Sequence, residues 1–215
     1  MVLFLKQVAQ AKDKCLKKQI NFKAIAFLLI VIFFSKNLSS KELNTKINTY
    51  LKELVSFSCK FIQSNGNSLE EGNLYIKDDL IRLDYTGPKR TLKINKEKGV
   101  YINHALREEE FFSTKKNIIK TFYDIFLEEN FFSSLPSKES NNQIVFEKNI
   151  LIDSKNTNLK IFFEIKPLLL RKIITKTEND YISISFYDHN FNAYFEKDFF
   201  SFVPIYLDWL SLKTH

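Results

Sequence analysis

Few side chains in this chain are of a kind that does chemistry, and their spacing does not assemble them. The three histidines, His104, His189 and His215, lie far apart with no ligand spacing around them. Glu108-Glu109-Glu110 reads as a charge run at a solvated turn or strand end rather than as a pair of catalytic carboxylates. Four glycines leave little from which to build a phosphate-cradling loop. Of the two cysteines, Cys15 precedes a long apolar block, and Cys59 alternates in phase with Phe57 and Phe61, as a buried inert thiol would. These residues point away from an enzyme, and no metal or cofactor is expected.

Charge excludes a second class. The formal net charge is +7, but residues 1–40 hold seven lysines against the single Asp13, leaving 25 basic and 24 acidic side chains in the remaining residues. A body so close to neutral offers no broad electrostatic footprint for a nucleic acid. The lysine-rich start is followed by the uninterrupted apolar run 24–34 and by the small polar residues Ser35 to Ser40. That order is the order of a secretory signal peptide, with cleavage expected near 35–40. Its apolar run is well short of the roughly 20 residues that cross a bilayer as a helix. An uncleaved N-terminal anchor is the competing reading, because no Ala-x-Ala site follows the block. Cleavage would leave Cys59 alone, without an intramolecular disulfide and without a lipid-bearing cysteine near the new N-terminus.

The positioning elements are mostly strands. From Phe57 to Tyr101 apolar residues recur with a period of two through five segments: 57–63, 71–77, 81–88, 92–95 and 99–101. Strands this closely spaced leave no room for crossover helices, so they form an antiparallel meander with apolar side chains gathered on one surface. A further strand is expected near 110–114. Ahead of the meander, Ser39-x-x-Glu42 forms a capping box for a helix with Leu43, Ile47, Tyr50, Leu51 and Leu54 on one stripe. A second helix is expected over 117–135, with Ile118, Phe122, Ile125 and Phe126 on one side and Leu127, Phe131 and Phe132 widening the arc, until Pro136 stops it. Residues 137–143 read as an exposed loop. Strand patterns resume at 144–148, 159–165, 169–177, 181–188 and 199–203, with a hairpin turn at 178–180. There is no internal repeat.

Within this pattern stand Phe57-x-x-x-Phe61-x-Gln63, Gly72-x-Leu74-x-Ile76, Arg82-x-x-Tyr85-x-x-Pro88, then a short apolar strand ahead of Gly99. In order and spacing these resemble the N-terminal half of the outer-membrane lipoprotein carrier family, the periplasmic LolA-like proteins. Asp198-Phe-Phe-Ser-Phe-Val-Pro204 resembles the Phe-x-Phe-x-x-Pro tract near the end of that family, so the likeness spans roughly 41–205. It implies an incomplete, half-open antiparallel barrel of about 10–11 strands covered by two or three helices, forming one domain over 41–215. It also implies a function: binding the acyl chains of lipoproteins in a hydrophobic cavity and ferrying them, as a monomer, from an inner-membrane ABC-type releasing complex to an outer-membrane acceptor.

Carried over position by position, the acyl-chain cavity falls on Leu74, Ile76, Ile81, Leu83 and Tyr85. The strand pattern adds Phe57, Phe61, Leu92, Ile94, Ile161 and Phe163 as candidates, and Phe122, Ile125 and Phe126 as lid residues. One departure is visible. The family's lid-fastening Arg-Pro pair falls here on Lys77, Asp78 and Asp79, so either Lys77 takes over that contact or the lid is held differently. Arg82 matches another family position. A lipid-binding or lipid-sensing envelope protein of the same fold is the alternative function.

Overall fold

The structure, a computed structural model, describes residues 43–206 except 88, 116–117, 129 and 153–154. The signal-peptide segment, the capping box and Pro88 therefore lie outside the described residues. Two compact units divide between Thr45 and Lys46, and the second holds the whole sheet.

Alternating side chains on eleven strands build one open antiparallel sheet. In chain order these are β1 (Ser56–Ser64), β2 (Leu69–Lys77), β3 (Leu80–Tyr85), β4 (Arg90–Ile94), β5 (Lys98–Asn103), β6 (Glu108–Ser113), β7 (Ser137–Ser140), β8 (Gln143–Ile152), β9 (Lys155–Ile165), β10 (Leu168–Lys176) and β11 (Tyr181–Asn190). The spatial order β6-β5-β4-β3-β2-β1-β11-β10-β9-β8-β7 joins two meanders through the β1–β11 pair. Its two edges, β6 and β7, are neighbours in sequence. The chain between them must travel from one edge to the other, and it carries the helix α2 (Ile118–Leu127) and a 3-10 turn (Phe131–Ser134). A first helix, α1, is described over 43–52. The expected fold class is borne out: an eleven-stranded antiparallel sheet, not closed into a barrel, with two helices among the described residues.

Register fixes the faces. Phe57, Ile76, Ile81 and Ile94 stand opposite one another in successive strands, as do Cys59, Leu74, Leu83 and Leu92. On the other side of β1, Phe61 faces Phe186, and the next row runs from Gln63 through Ile184 and Ile173 to Ile161. All of these share one face, here called the inner face. The helices cover it. Tyr50 of α1 meets Phe163 edge-on at 5.9 Å and its hydroxyl accepts a hydrogen bond from the Leu170 N–H at 3.2 Å. Phe126 of α2 meets Phe186 at 5.8 Å, and Phe132 of the 3-10 turn lies 4.9 Å from Phe146 and 5.3 Å from Phe163.

Three sequence expectations are corrected. The helix expected over 117–135 ends at Leu127, because Asn130 adopts a left-handed φ of 65° and restarts the chain as a 3-10 turn. The loop expected over 137–143 is the edge strand β7, turned into β8 by Asn141 and Asn142, both at positive φ, as a two-residue hairpin turn demands. The strand expected over 199–203 is not one.

After Phe191, which still packs against Tyr50 and Phe57 on the inner side, residues 193–206 run instead as an irregular strap over the outer face of the first meander. Ser56 and Ala193 exchange hydrogen bonds at its start, the Ala193 N–H reaching the Ser56 carbonyl at 3.0 Å. Phe195 and Phe199 then close on Tyr75 at 5.9 and 5.0 Å. This strap explains why Thr91, Lys93, Val100 and Ile102, which point away from the helices, are as buried as the inner face. The first meander is thus covered on both sides, where alternation alone implied one greasy face and one wetter one.

Candidate functional site

Most of the residues that carry the family likeness meet on the inner face; Arg82 and the 200–204 tract do not. Gly72 stands directly opposite Phe61 on one side and Tyr85 on the other. With no side chain at 72, the Phe61 ring lies across the gap and touches Tyr85 edge-on, 5.2 Å between centroids. The Tyr85 hydroxyl donates to Gln63 Oε1 at 3.3 Å, and the Arg90 guanidinium lies 4.9 Å over the Tyr85 ring while pairing with Glu70. Burial, above all, pushes the Tyr85 phenol up to about 12. Phe-x-x-x-Phe-x-Gln, Gly-x-Leu-x-Ile and the Tyr85 of Arg-x-x-Tyr therefore meet on one surface, while Arg82 points to the other.

All eleven cavity candidates project to this face. Phe57, Phe61, Leu74, Ile76, Ile81, Leu83, Ile94, Ile161 and Phe163 are at most 2% exposed, whereas Tyr85 and Leu92 are half-buried. Their burial is completed by the protein's own rings and helices. Of the lid candidates, Ile125 and Phe126 are buried against the sheet and Phe122 is half-buried, 5.1 Å from Phe126. Beneath α2 an apolar crevice of about 40 Å³ remains, bounded by Ile118, Thr121, Phe122 and Ile125 above and by Leu159, Ile173 and Ile184 below. A fatty acyl chain does not fit there while α2 stays down.

How the cover is fastened departs from the family's pattern. The Lys77 side chain makes no hydrogen bond or ion pair with the described residues, so it does not stand in for the missing Arg. Asp78, at φ 53°, instead donates its backbone N–H to the Val55 carbonyl just after α1, at 3.0 Å. The ion pair made by α2 is internal, Lys120 with Asp124. The described contacts of α2 with the sheet are apolar.

The outer face holds what the sequence did not suggest. Arg82 pairs with Asp84 at 2.9 Å, lies 4.1 Å over the Phe199 ring and donates to the Phe199 carbonyl at 2.6 Å. Lys93 donates to the Ser201 carbonyl at 2.7 Å, and burial, then the neighbouring Arg82, holds its ammonium below the ordinary lysine value. Asp84 accepts from Thr91 Oγ1 at 2.8 Å. Since the threonine has spent its only proton there, it accepts from His104 Nε2 at 3.0 Å, and His104 Nδ1 faces the Tyr206 hydroxyl at 2.9 Å. Glu109 takes the Ile205 and Tyr206 N–H groups at 2.6 and 3.1 Å. His104 and Glu109 are thus structural anchors of the strap. The remaining described histidine, His189, donates Nε2–H to the Leu170 carbonyl at 3.0 Å and rests against Phe57 and Phe191. Cys59 is buried, and burial raises its thiol pKa.

No family model and no curated protein matches the chain. Among solved structures it is similar to an uncharacterized conserved protein from Thermus thermophilus, with 8% identity and a TM-score of 0.49 over 75% of this chain and 92% of that one. It is also similar to a DUF1329 family protein from Desulfovibrio piger, with 7% identity and a TM-score of 0.39 over 75% and 97%. Likenesses this distant say nothing of function.

Proposed function

We propose that this chain is a carrier of acylated proteins, exported to the periplasm by residues 1–40, which takes lipoproteins from an inner-membrane ABC-type releasing complex and passes them to the outer membrane. The observation that supports it most is the union of the motif residues Phe57, Phe61, Gly72, Leu74, Ile76 and Tyr85 into one apolar surface roofed by a helix with apolar contacts. Such a roof exchanges like for like. When cargo enters, methylene groups replace Phe122, Ile125 and Phe126 at the inner face, each contributing about 0.8 kcal/mol on burial, and the displaced helix side chains give back a comparable sum. The net affinity is then moderate, as a molecule that must release its cargo requires.

The reading makes the protein a binder without catalytic groups, working as a monomer. Its test is direct: the mature protein, purified without detergent, is titrated with a synthetic diacylated lipopeptide and with the same peptide after deacylation. Saturable binding of the acylated form alone is expected. Equal binding of both, or none of either, would end the proposal. Leu83→Glu, which charges the inner face, should weaken binding far more than Lys160→Glu, which sits on the opposite face beside Glu147. Equal losses would mean that the faces have other roles.

A further inference from the structure

Polarity changes in steps along the inner face of β9, β10 and β11. Ile161, Ile173 and Ile184 form one row across the three strands, and Leu159, Thr175 and Ile182 form the next. Beyond them, two residues further along β9, comes Thr157, which is buried yet carries a hydroxyl. The rows lead from the apolar crevice under α2 into a wider cleft of about 470 Å³ at the end of the sheet, where the β1–β2 and β10–β11 turns meet the end of β8 and the start of β9. Ile118, Thr175 and Ile182 line both spaces, so the cleft is the crevice's antechamber. Its outer lining is mainly amide and hydroxyl, from Asn65, Asn67, Thr177 and Asn179. Its lysine, Lys155, stands 3.8 Å from Asp180, which balances it.

The opposite end of α2 is different. The groove there, of about 410 Å³, is lined by Lys52, Asp78 and Glu128 among others and shares no lining residue with the crevice.

We propose that ligand enters at the cleft between the first turn of α2 and the β10–β11 turn, acyl chains inward, and that the collar selects a neutral, amide-bearing head, that of an acylated peptide, over a phosphate-bearing lipid. This rests on the carrier reading and sharpens it. A phosphate drawn out of water needs charged donors, above all an arginine fork. Among the described residues the collar holds no arginine, and its one lysine is already matched by Asp180. An amide-rich head, by contrast, exchanges its hydrogen bonds with water for bonds to Asn and Thr groups without stranding a charge.

The experiment uses the unaltered mature protein and a diacylated lipopeptide with a photoreactive diazirine on its first peptide residue. Adducts are expected within 65–67 and 177–181, and palmitoyl lysophosphatidylglycerol should bind about tenfold more weakly or worse, the equivalent of one good hydrogen bond forgone. Thr175→Arg, checked for native far-ultraviolet dichroism, should narrow that gap. Acyl-dependent binding with adducts at Leu51, Lys52 or Leu127 would overturn the entry site while leaving the carrier reading standing, and equal affinity for the lysophospholipid would overturn the selectivity. Absence of any acyl-dependent binding would overturn the carrier reading itself.

Discussion

Position 72 shows how much a missing side chain can organise. A Cβ added there would run into the Asp84 carbonyl oxygen and stand 2.6 Å from the Phe61 ring. One of those neighbours is backbone and the other a ring fixed against Tyr85, so neither yields cheaply. Gly72→Ala is expected to cost about 1–3 kcal/mol, in the range of overpacked cores, read as a lower midpoint in urea with an unchanged slope. His189 supplies a pH dependence. Burial, the dominant cause, lowers its pKa below the usual value near 6.5, so between the two values the unfolded chain binds the extra proton and the native one does not. Stability is therefore full above about pH 6.5 and declines as the pH falls through the window below it. His189→Gln, which keeps a donor for Leu170, should flatten that decline in urea titrations from pH 7 to 5. Much at this scale was legible: alternation placed Phe57, Cys59, Phe61, Leu74 and Leu83 on one face correctly. Gly72 was not, because periodicity reads side chains and says nothing of the space left by one. Nor does alternation show that Thr91 and Lys93 are buried, since what covers them lies about a hundred residues downstream.

Among elements, α2 is the piece on which the carrier proposal turns. Its place follows from connectivity: it lies between the last strand of one meander and the first of the other, which are opposite edges of the sheet. Phe126→Ala removes its ring contact with Phe186 and should lower stability by about 3–5 kcal/mol, as ring deletions in cores do. If α2 acts as the roof, the same change should raise the fluorescence of a hydrophobic dye such as N-phenylnaphthylamine at a denaturant concentration where the chain is still folded. Tyr50→Phe tests α1. It leaves the Leu170 N–H buried without its acceptor, at about 1–3 kcal/mol, followed by thermal unfolding. The existence of both helices was readable from their stripes. The early end of α2 was not, because Ile118 to Phe132 keeps an apolar pattern straight through Asn130, where backbone handedness decides. Likewise, Asn141-Asn142 is a hairpin signal hidden in a polar run that composition alone labels a loop.

On the scale of the whole described body, three layers are stacked: helices, sheet and strap. The first two followed from alternation and amphipathic stripes. The strap did not, because Phe195 to Phe202 has an aromatic density that mimics a strand while its partners, Tyr75 and Arg82, belong to a distant stretch of chain. Its chief ties are backbone ones. Arg82 and Lys93 hold the carbonyl oxygens of Phe199 and Ser201, and Glu109 holds the N–H groups of Ile205 and Tyr206. Fastenings of that sort do not care which residue bears the oxygen or the nitrogen. Ser201, Ile205 and their exposed neighbours can accordingly drift through evolution or be exchanged at the bench with little penalty, while the grips themselves, set in the sheet, tolerate far less.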